Sequence, residues 1–267
     1  MAGRELRAMS FGAVAVEYDR LRPAPPEDAV DWLVPERCGV AVDVAAGTGL
    51  LTRALARRVP QVVAVEPDVR MRAVLSARSP QVSVVEGRGE VIPLAEASAD
   101  GVFVSSAWHW MDPERAVPEI GRVLRDGGRF AVIWTSRDRA IDWVCELDRV
   151  VASAPTESSA AADAAAEARR RRHRDVTLPE GALFGEVSRA SFGFTRMMTI
   201  SDVVGMFATY SGVITAGREE KAAGLARARA ALTEWFSDAE DIAVPMRAWC
   251  WRAERVNRAG HGKPVTS

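Results

Sequence analysis

Ala41-Val42-Asp43-Val44-Ala45-Ala46-Gly47-Thr48-Gly49-Leu50-Leu51 is a short apolar run that ends in two closely spaced glycines and passes at once into residues with helical spacing. It reads as a strand, a tight turn and a helix. Glycines at 47 and 49 have no Cβ, so the backbone there can bend sharply and bring its N–H groups against a bound molecule at the start of the helix. Working outward, apolar runs that suit buried strands occur at Val40–Ala45, Gln61–Glu66, Val82–Glu86, Gly101–Ser105 and Arg129–Trp134. Helical spacing falls between them: Leu50, Leu51, Ala54 and Leu55 before Pro60, Met71 to Ala77, and Ala116 to Leu124, which runs out at Asp126-Gly127-Gly128. Strand and helix alternate, which predicts βαβ units with right-handed crossovers and the carboxyl ends of the parallel strands on one edge. Further on, Arg189–Thr195 and Ile242–Trp251 alternate in a strand-like way and would complete the sheet in antiparallel fashion, separated by helices at Ser201–Tyr210 and Arg218–Phe236. The expected fold is α/β: a Rossmann-like, doubly wound, mostly parallel sheet of seven strands, with an antiparallel strand near the C-terminus and helices on its flanks.

Composition narrows the partners. The chain has 267 residues, 48% hydrophobic, enough for one large core. Its 35 Lys and Arg nearly balance 36 Asp and Glu, so no global field draws it to nucleic acid or an anionic membrane, and a small, roughly neutral partner is expected. Cys38, Cys145 and Cys250 are scattered, with no C-x-x-C spacing and no histidine cluster, so they read as reduced thiols rather than metal ligands or disulfides. Arg4 and Arg7 precede no apolar stretch, and no run reaches the roughly 20 apolar residues of a membrane span. The expectation is a cytoplasmic protein, and a homodimer stays open.

Two carboxylates give the turn its chemistry. Glu66 ends the strand next after the glycine turn, beside the same crevice. Its two oxygens can accept both hydroxyls of a ribose, which suits any cofactor containing adenosine. A dinucleotide fingerprint needs glycine or alanine at the sixth position from Gly47, where this chain has Thr52. Asp43 would also sit badly beside a pyrophosphate, whereas it can help hold a cationic amino group, directly or through water. Charge therefore favours a sulfonium amino-acid nucleoside over a dinucleotide.

The motifs Asp43-Val-Ala-Ala-Gly-Thr-Gly, Val65-Glu66-Pro-Asp, Glu86-Gly-Arg-Gly-Glu90 and Val123-Leu-Arg-Asp-Gly-Gly128 together resemble those of class I S-adenosylmethionine-dependent methyltransferases, over about residues 11 to 137. Within that superfamily the chain is similar to a small-molecule branch, on Phe11-Gly12, Tyr18, Arg22-Pro23 and His109-Trp110. The resemblance implies S-adenosyl-L-methionine as cofactor, transfer of its methyl group by direct displacement, and a small-molecule methyl acceptor. It implies cofactor contacts at Tyr18, Arg22, Asp43, Ala45, Gly47, Thr48, Gly49, Glu66, Pro67, Met71, Gly89, Glu90 and Ser105, with Gly47 to Gly49 cradling the methionine part and Met71 near the adenine. One domain over 1–267 would then comprise an N-terminal cap at 1–37, a cofactor-binding core at 38–137, a helical insert or lid at 138–185, and C-terminal strands and helices at 186–267.

Two positions depart from the family pattern: Ala45 replaces the leading glycine, a place where alanine also occurs, and Arg88 stands where an acceptor for the adenine amino group is frequent; separately, Pro118 falls inside the Asp112–Leu124 helical pattern and predicts a kink. Trp108, His109 and Trp110 follow the fourth strand and form the expected substrate pocket. His109 is the histidine placed to take a proton from a hydroxyl or carboxyl acceptor, although a loop residue bonded to backbone would look the same. No paired-carboxylate metal site accompanies this loop, and Asp112 and Glu114 read as a helix start. The basic run at Arg169 to Arg172, with Arg174 around His173, reads as the solvated end of an inserted helix or as an anion clamp. Met197, Met198, Met206, Phe207 and Tyr210 suit either a lid or a core. Two other functions stay open at this stage: a cofactor-binding enzyme that rearranges a metabolite without methylating it, and a non-enzymatic binding module.

Overall fold

The computed structural model describes residues 9–152, 168, 171, 174–237 and 239–257. Seven strands, β1 (Val40–Val44), β2 (Gln61–Val65), β3 (Ser83–Val85), β4 (Ala99–Ser105), β5 (Leu124–Arg137), β6 (Ser188–Met198) and β7 (Ile242–Glu254), make one sheet in the order β3-β2-β1-β4-β5-β7-β6. The first five pair in parallel. β7 is antiparallel to both of its neighbours, so β6 runs in the same sense as the first five and β7 alone opposes them.

Period-two alternation along these strands divides the core between two faces. Val42, Val44, Val102, Val104, Phe130, Val132 and Trp251 pack with Ala116, Val117, Ile120 and Val123 of helix α5 (Pro113–Val123). On the other face Ala41, Phe103, Ala131, Ile133, Ala248 and Cys250 pack with α2 (Glu27–Leu33) and α3 (Leu50–Ala56). Both faces are therefore helix-covered, which is why the first five strands read as continuous apolar runs. A third cluster lies toward β6 and the start of β7, where Leu21 of α1 (Ala15–Leu21), Leu147 of α6 (Asp142–Ala152), Phe207 of α7 (Ile200–Ala208) and Leu232 of α8 (Arg218–Trp235) meet Met198 and Val244.

Local signals explain the helix starts. Asp68 caps α4 (Val69–Arg78) by accepting from the N–H groups of Arg70 and Met71. Asp112 caps α5, with Pro113 in the first turn where its missing N–H costs nothing. The same helix continues through Pro118, which lies on the exposed side, so the carbonyl left without a donor is in reach of water. The thiols of Cys38 and Cys250 pack on the α2–α3 face, and burial raises them to about 11 and about 12. Most of the expected insert at Ala152–Asp175, with His173 and His261, lies outside the described residues.

The Trp251 ring on β7 meets Phe130 of β5 at 5.1 Å, and its indole N–H has no hydrogen-bond partner among the described residues. Trp251→Ala is expected to cost about 3–5 kcal/mol of unfolding free energy in urea denaturation. Trp251→Phe, which keeps ring packing and deletes the orphaned donor, should cost less than half as much; equal losses would show that ring packing is not what this position contributes.

Candidate functional site

Parallel pairing brings the carboxyl ends of β1 to β5 to one edge of the sheet, and there a cavity of about 820 Å³ opens. Its floor is the glycine turn. Ala46 N–H donates to the Val65 carbonyl at 3.1 Å and Gly49 N–H to the Ala46 carbonyl at 2.9 Å, which bends the chain back between β1 and α3. Ala45, Gly47 and Gly49 have φ values of 54°, 59° and 87°. Gly47 has open space where a Cβ would stand, whereas at Gly49 a Cβ would lie 2.9 Å from the Leu75 side chain. The left-handed conformation at position 45 is the physical reason glycine suits it; alanine holds it at a cost of roughly 1–2 kcal/mol. Ser106, also on the cavity wall, has φ 53°, so two strained non-glycine residues face the same space.

Glu66 is buried at the cavity wall. Its Oε2 accepts from Gly47 N–H at 2.8 Å and its Oε1 from Asp68 N–H at 2.9 Å. Each oxygen keeps lone-pair capacity for a further donor. Burial raises the Glu66 pKa, against the two backbone hydrogen bonds that favour the ionised form.

Asp43 lies fully buried, off the cavity wall. Its Oδ2 accepts from the Thr52 hydroxyl at 2.6 Å, while Oδ1 has no partner among the described residues. Burial raises its carboxyl to about 7, with the Glu66 charge pushing the same way and the Thr52 hydrogen bond opposing.

The structure gathers Tyr18, Arg22, Ala45, Gly47, Glu66, Pro67, Met71, Gly89, Glu90, Ser105, His109 and Trp110 around this cavity. Asp43, Thr48 and Gly49 support the turn from behind it. Gly89 packs so tightly on Met111 that a Cβ would lie 2.5 Å from the sulfur, and Glu90 accepts from Asp112 N–H at 2.9 Å, which ties the loop after β3 to the start of α5. Trp108 is placed differently from the sequence expectation. It is 3% exposed and packs on Phe130 at 5.2 Å within the core. One tight helical turn spans Trp108–Trp110, so the first indole fills the core while His109 and Trp110, 4.6 Å apart, reach the cavity.

The N-terminal segment closes one side. Phe11 meets Tyr18 at 5.9 Å and Trp110 at 6.2 Å. At Gly12 a Cβ would overlap the Asp68 and Arg70 side chains, so only glycine lets the segment seat there. Arg22 donates to the Thr209 hydroxyl and carbonyl, each at 3.0 Å, and stacks 3.8 Å from the Tyr210 ring.

Sequence reading missed the wall contributed by β5 and β7: Trp134, Thr135, Ser136, Arg139 and Trp249. Trp134 and Trp249 are direct partners across the two strands. No local motif marks them, because their meeting depends on β7 inserting beside β5. Among the described residues no group of three or more His, Cys, Asp or Glu could hold a metal ion, and no helix is long and apolar enough to cross a membrane.

A family model described as a methyltransferase domain matches residues 42–132. Over 248 residues the chain is 36% identical to an uncharacterized methyltransferase of Mycobacterium tuberculosis, a match that covers 92% of this chain and 96% of that protein. A malonyl-acyl-carrier-protein O-methyltransferase of Herminiimonas arsenicoxydans is 30% identical over 128 residues, 46% of this chain and 48% of that one. A solved methyltransferase-like structure from Anaeromyxobacter dehalogenans superposes with a TM-score of 0.66 at 25% identity, covering 88% of this chain and 97% of that chain. The fold and its relatives together define the class of enzyme as a methyltransferase. The chain belongs to the class I S-adenosylmethionine-dependent methyltransferases.

Asp43 yields a pH test. Its carboxyl titrates near 7 when folded and near 3.8 when unfolded, so its protonated form favours the folded state, fully so below the lower value. That contribution is lost as pH rises toward the higher one. Between about pH 5 and pH 8, Asp43→Asn should therefore gain stability relative to the parent in denaturant titrations. A difference that does not change with pH would show that Asp43 is not protonated in the folded state.

Proposed function

We propose that this chain transfers the methyl group of S-adenosylmethionine to a small organic acceptor, with the cofactor along the β1–β3 side of the cavity and the acceptor on the β4–β5–β7 side. The observation that carries the arrangement is the Glu66 carboxylate, fixed by two backbone N–H groups and still able to accept from a vicinal diol. The residues fit the cofactor on other counts. Gly47 leaves open space at the turn, Asp43 keeps one oxygen without a partner among the described residues, and about 820 Å³ holds a nucleoside with a small second molecule.

Bound S-adenosylmethionine supplies a methyl group already activated by its sulfonium sulfur. The chain's own work is binding, alignment and exclusion of water. Pro67, Met71 and Gly89 offer surface for the adenine, Gly47 and Ala45 offer backbone to the methionine part, and Asp43 offers a carboxyl behind the turn that a nearby cationic amino group would favour in its ionised form. Tyr18 and Arg22 close the N-terminal side, with Phe11 reaching across to Trp110. For a hydroxyl acceptor His109 is placed to take the proton; a carboxylate acceptor needs no base. The balanced chain, with formal net charge -1, supports a small acceptor over nucleic acid. The malonyl-acyl-carrier-protein relative matches under half of the chain, so it supports methyl transfer and not its own acceptor.

Calorimetric titration should show S-adenosylmethionine and S-adenosylhomocysteine binding and NAD failing to bind. Glu66→Ala should weaken S-adenosylhomocysteine binding roughly a hundredfold, the worth of two hydrogen bonds to a charged acceptor. Unchanged affinity in a variant with an unchanged thermal midpoint would overturn the ribose assignment, and NAD binding in place of the sulfonium pair would overturn the cofactor reading.

A further inference from the structure

Arg22 is held at the cavity wall by contacts that leave part of it unused. Pro23 follows it, and the residue before a proline is driven out of helical conformation, so α1 ends with Arg22 extended at φ −71° and ψ 142°. Its side chain reaches Thr209, 187 residues further along the chain, where Nε donates to the hydroxyl and Nη2 to the carbonyl, each at 3.0 Å. Thr209 is 1% exposed, and its hydroxyl donates to the Met206 carbonyl at 2.7 Å, which turns an oxygen lone pair toward Arg22. The rings of Tyr18 and Tyr210 stand 5.0 and 3.8 Å from the guanidinium carbon. A long side chain is thus ordered before any ligand arrives, which lowers the entropy a ligand must overcome.

The charge so held is unmatched. Arg53 pairs with Asp19, Arg70 with Asp68 and Arg72 with Glu86. No carboxylate pairs with Arg22 among the described residues, and its Nη1 makes no hydrogen bond to them. Thr209 offers only neutral acceptors, so the guanidinium keeps its charge and one edge of N–H donors for a guest.

α1 sets where that edge lies. Asp19 pairs with Arg53 of α3 at 2.6 Å, and Arg53 donates to the Thr48 carbonyl of the glycine turn at 2.8 Å. The Arg22 N–H still bonds the Tyr18 carbonyl, so its Cα keeps the helical register. Residues three apart on a helix are neighbours about 5–6 Å apart, which puts Arg22 beside the residue that fastens α1 to the turn. The end of the cofactor over that turn is a zwitterion. Its ammonium has the Asp43 carboxyl behind the turn, and its carboxylate calls for a cation on the other side.

We infer that Arg22, positioned by Thr209 and the two tyrosine rings, receives the carboxylate of the cofactor's amino-acid end and selects S-adenosylmethionine over sulfonium nucleosides that lack this group. The inference rests on the methyl-transfer reading and deepens it. Arg22 is a specificity-determining group, and Thr209 is a positioning residue.

The test is calorimetry with S-adenosylmethionine and decarboxylated S-adenosylmethionine, which keeps the sulfonium and the amine and has hydrogen in place of the carboxylate. The parent should bind the carboxylated form at least about tenfold tighter, the worth of a hydrogen bond between charged groups. Arg22→Gln should bring that ratio near one by weakening S-adenosylmethionine while the decarboxylated form stays at the parent affinity, and Arg22→Lys should keep part of the ratio. Thr209→Val should lower the ratio about threefold, the worth of a neutral hydrogen bond, and Thr209→Ser, which returns the hydroxyl, should restore it. Equal binding of the two ligands by the parent, a ratio that survives in Arg22→Gln, or equal weakening of both ligands in Arg22→Gln and Arg22→Lys would overturn the assignment of Arg22. A ratio unmoved by Thr209→Val, or not restored by Thr209→Ser, would overturn the part given to Thr209. Failure of S-adenosylmethionine, S-adenosylhomocysteine and the decarboxylated form alike to bind the parent would instead overturn the methyl-transfer reading, so the two failures are distinguishable.

Discussion

The site depends on two carboxylates buried at the ends of adjacent parallel strands. Asp43 and Glu66 repel one another, and each must be supplied with donors in a place that water hardly reaches. Thr52 from the first turn of α3 serves Asp43, and the N–H groups of Gly47 and Asp68 serve Glu66. Aiming the Gly47 N–H at Glu66 forces the chain through left-handed conformations at 45, 47 and 49, and this sets where α3 begins. Asp68, held by its bond to Glu66, in turn caps α4 and grips Arg70, the pair against which Gly12 seats the N-terminal segment. One electrostatic requirement thus runs from the sheet edge to the cover over the cavity.

Features fixed by short-range pattern were legible in the sequence. Gly47, Gly49 and Glu66 sit on neighbouring strand ends, and alternation of strand and helix fixes on which edge those ends emerge. The departure at Ala45 becomes intelligible only with its φ of 54°, because the sequence shows an alanine but not the conformation it must hold. Trp108 illustrates a different limit. A single tight turn has no period long enough to assign a face, so nothing local separates the tryptophan that fills the core from the histidine and tryptophan that reach the cavity.

The wall formed by β5 and β7 was beyond reach for a topological reason. Alternation identified both runs as strands, but pairing is not encoded in either run alone. With β7 inserted between β5 and β6, Trp134 meets Trp249 and Arg174 meets the Trp249 ring. Arg174 read as part of a solvated helix end or of an anion clamp, and Tyr210 as lid or core; both line the cavity, which pattern alone did not indicate.

The near balance of charge over the whole chain is also silent about the cavity. Charges a few ångströms apart across a partly dry space interact far more strongly than the same charges in water, so local arrangement outweighs the total. The end of β5 makes this concrete. Asp138 is matched by Arg247 of β7 at 2.7 Å, a closed pair that fastens two strands. Arg137 and Arg139, flanking it, share Asp148 between them. These pairs tie the end of β5 to β7 on one side and to α6 on the other, so the strand that carries Trp134 and Thr135 to the cavity wall is held by local ion pairs that the net charge of the chain does not reveal.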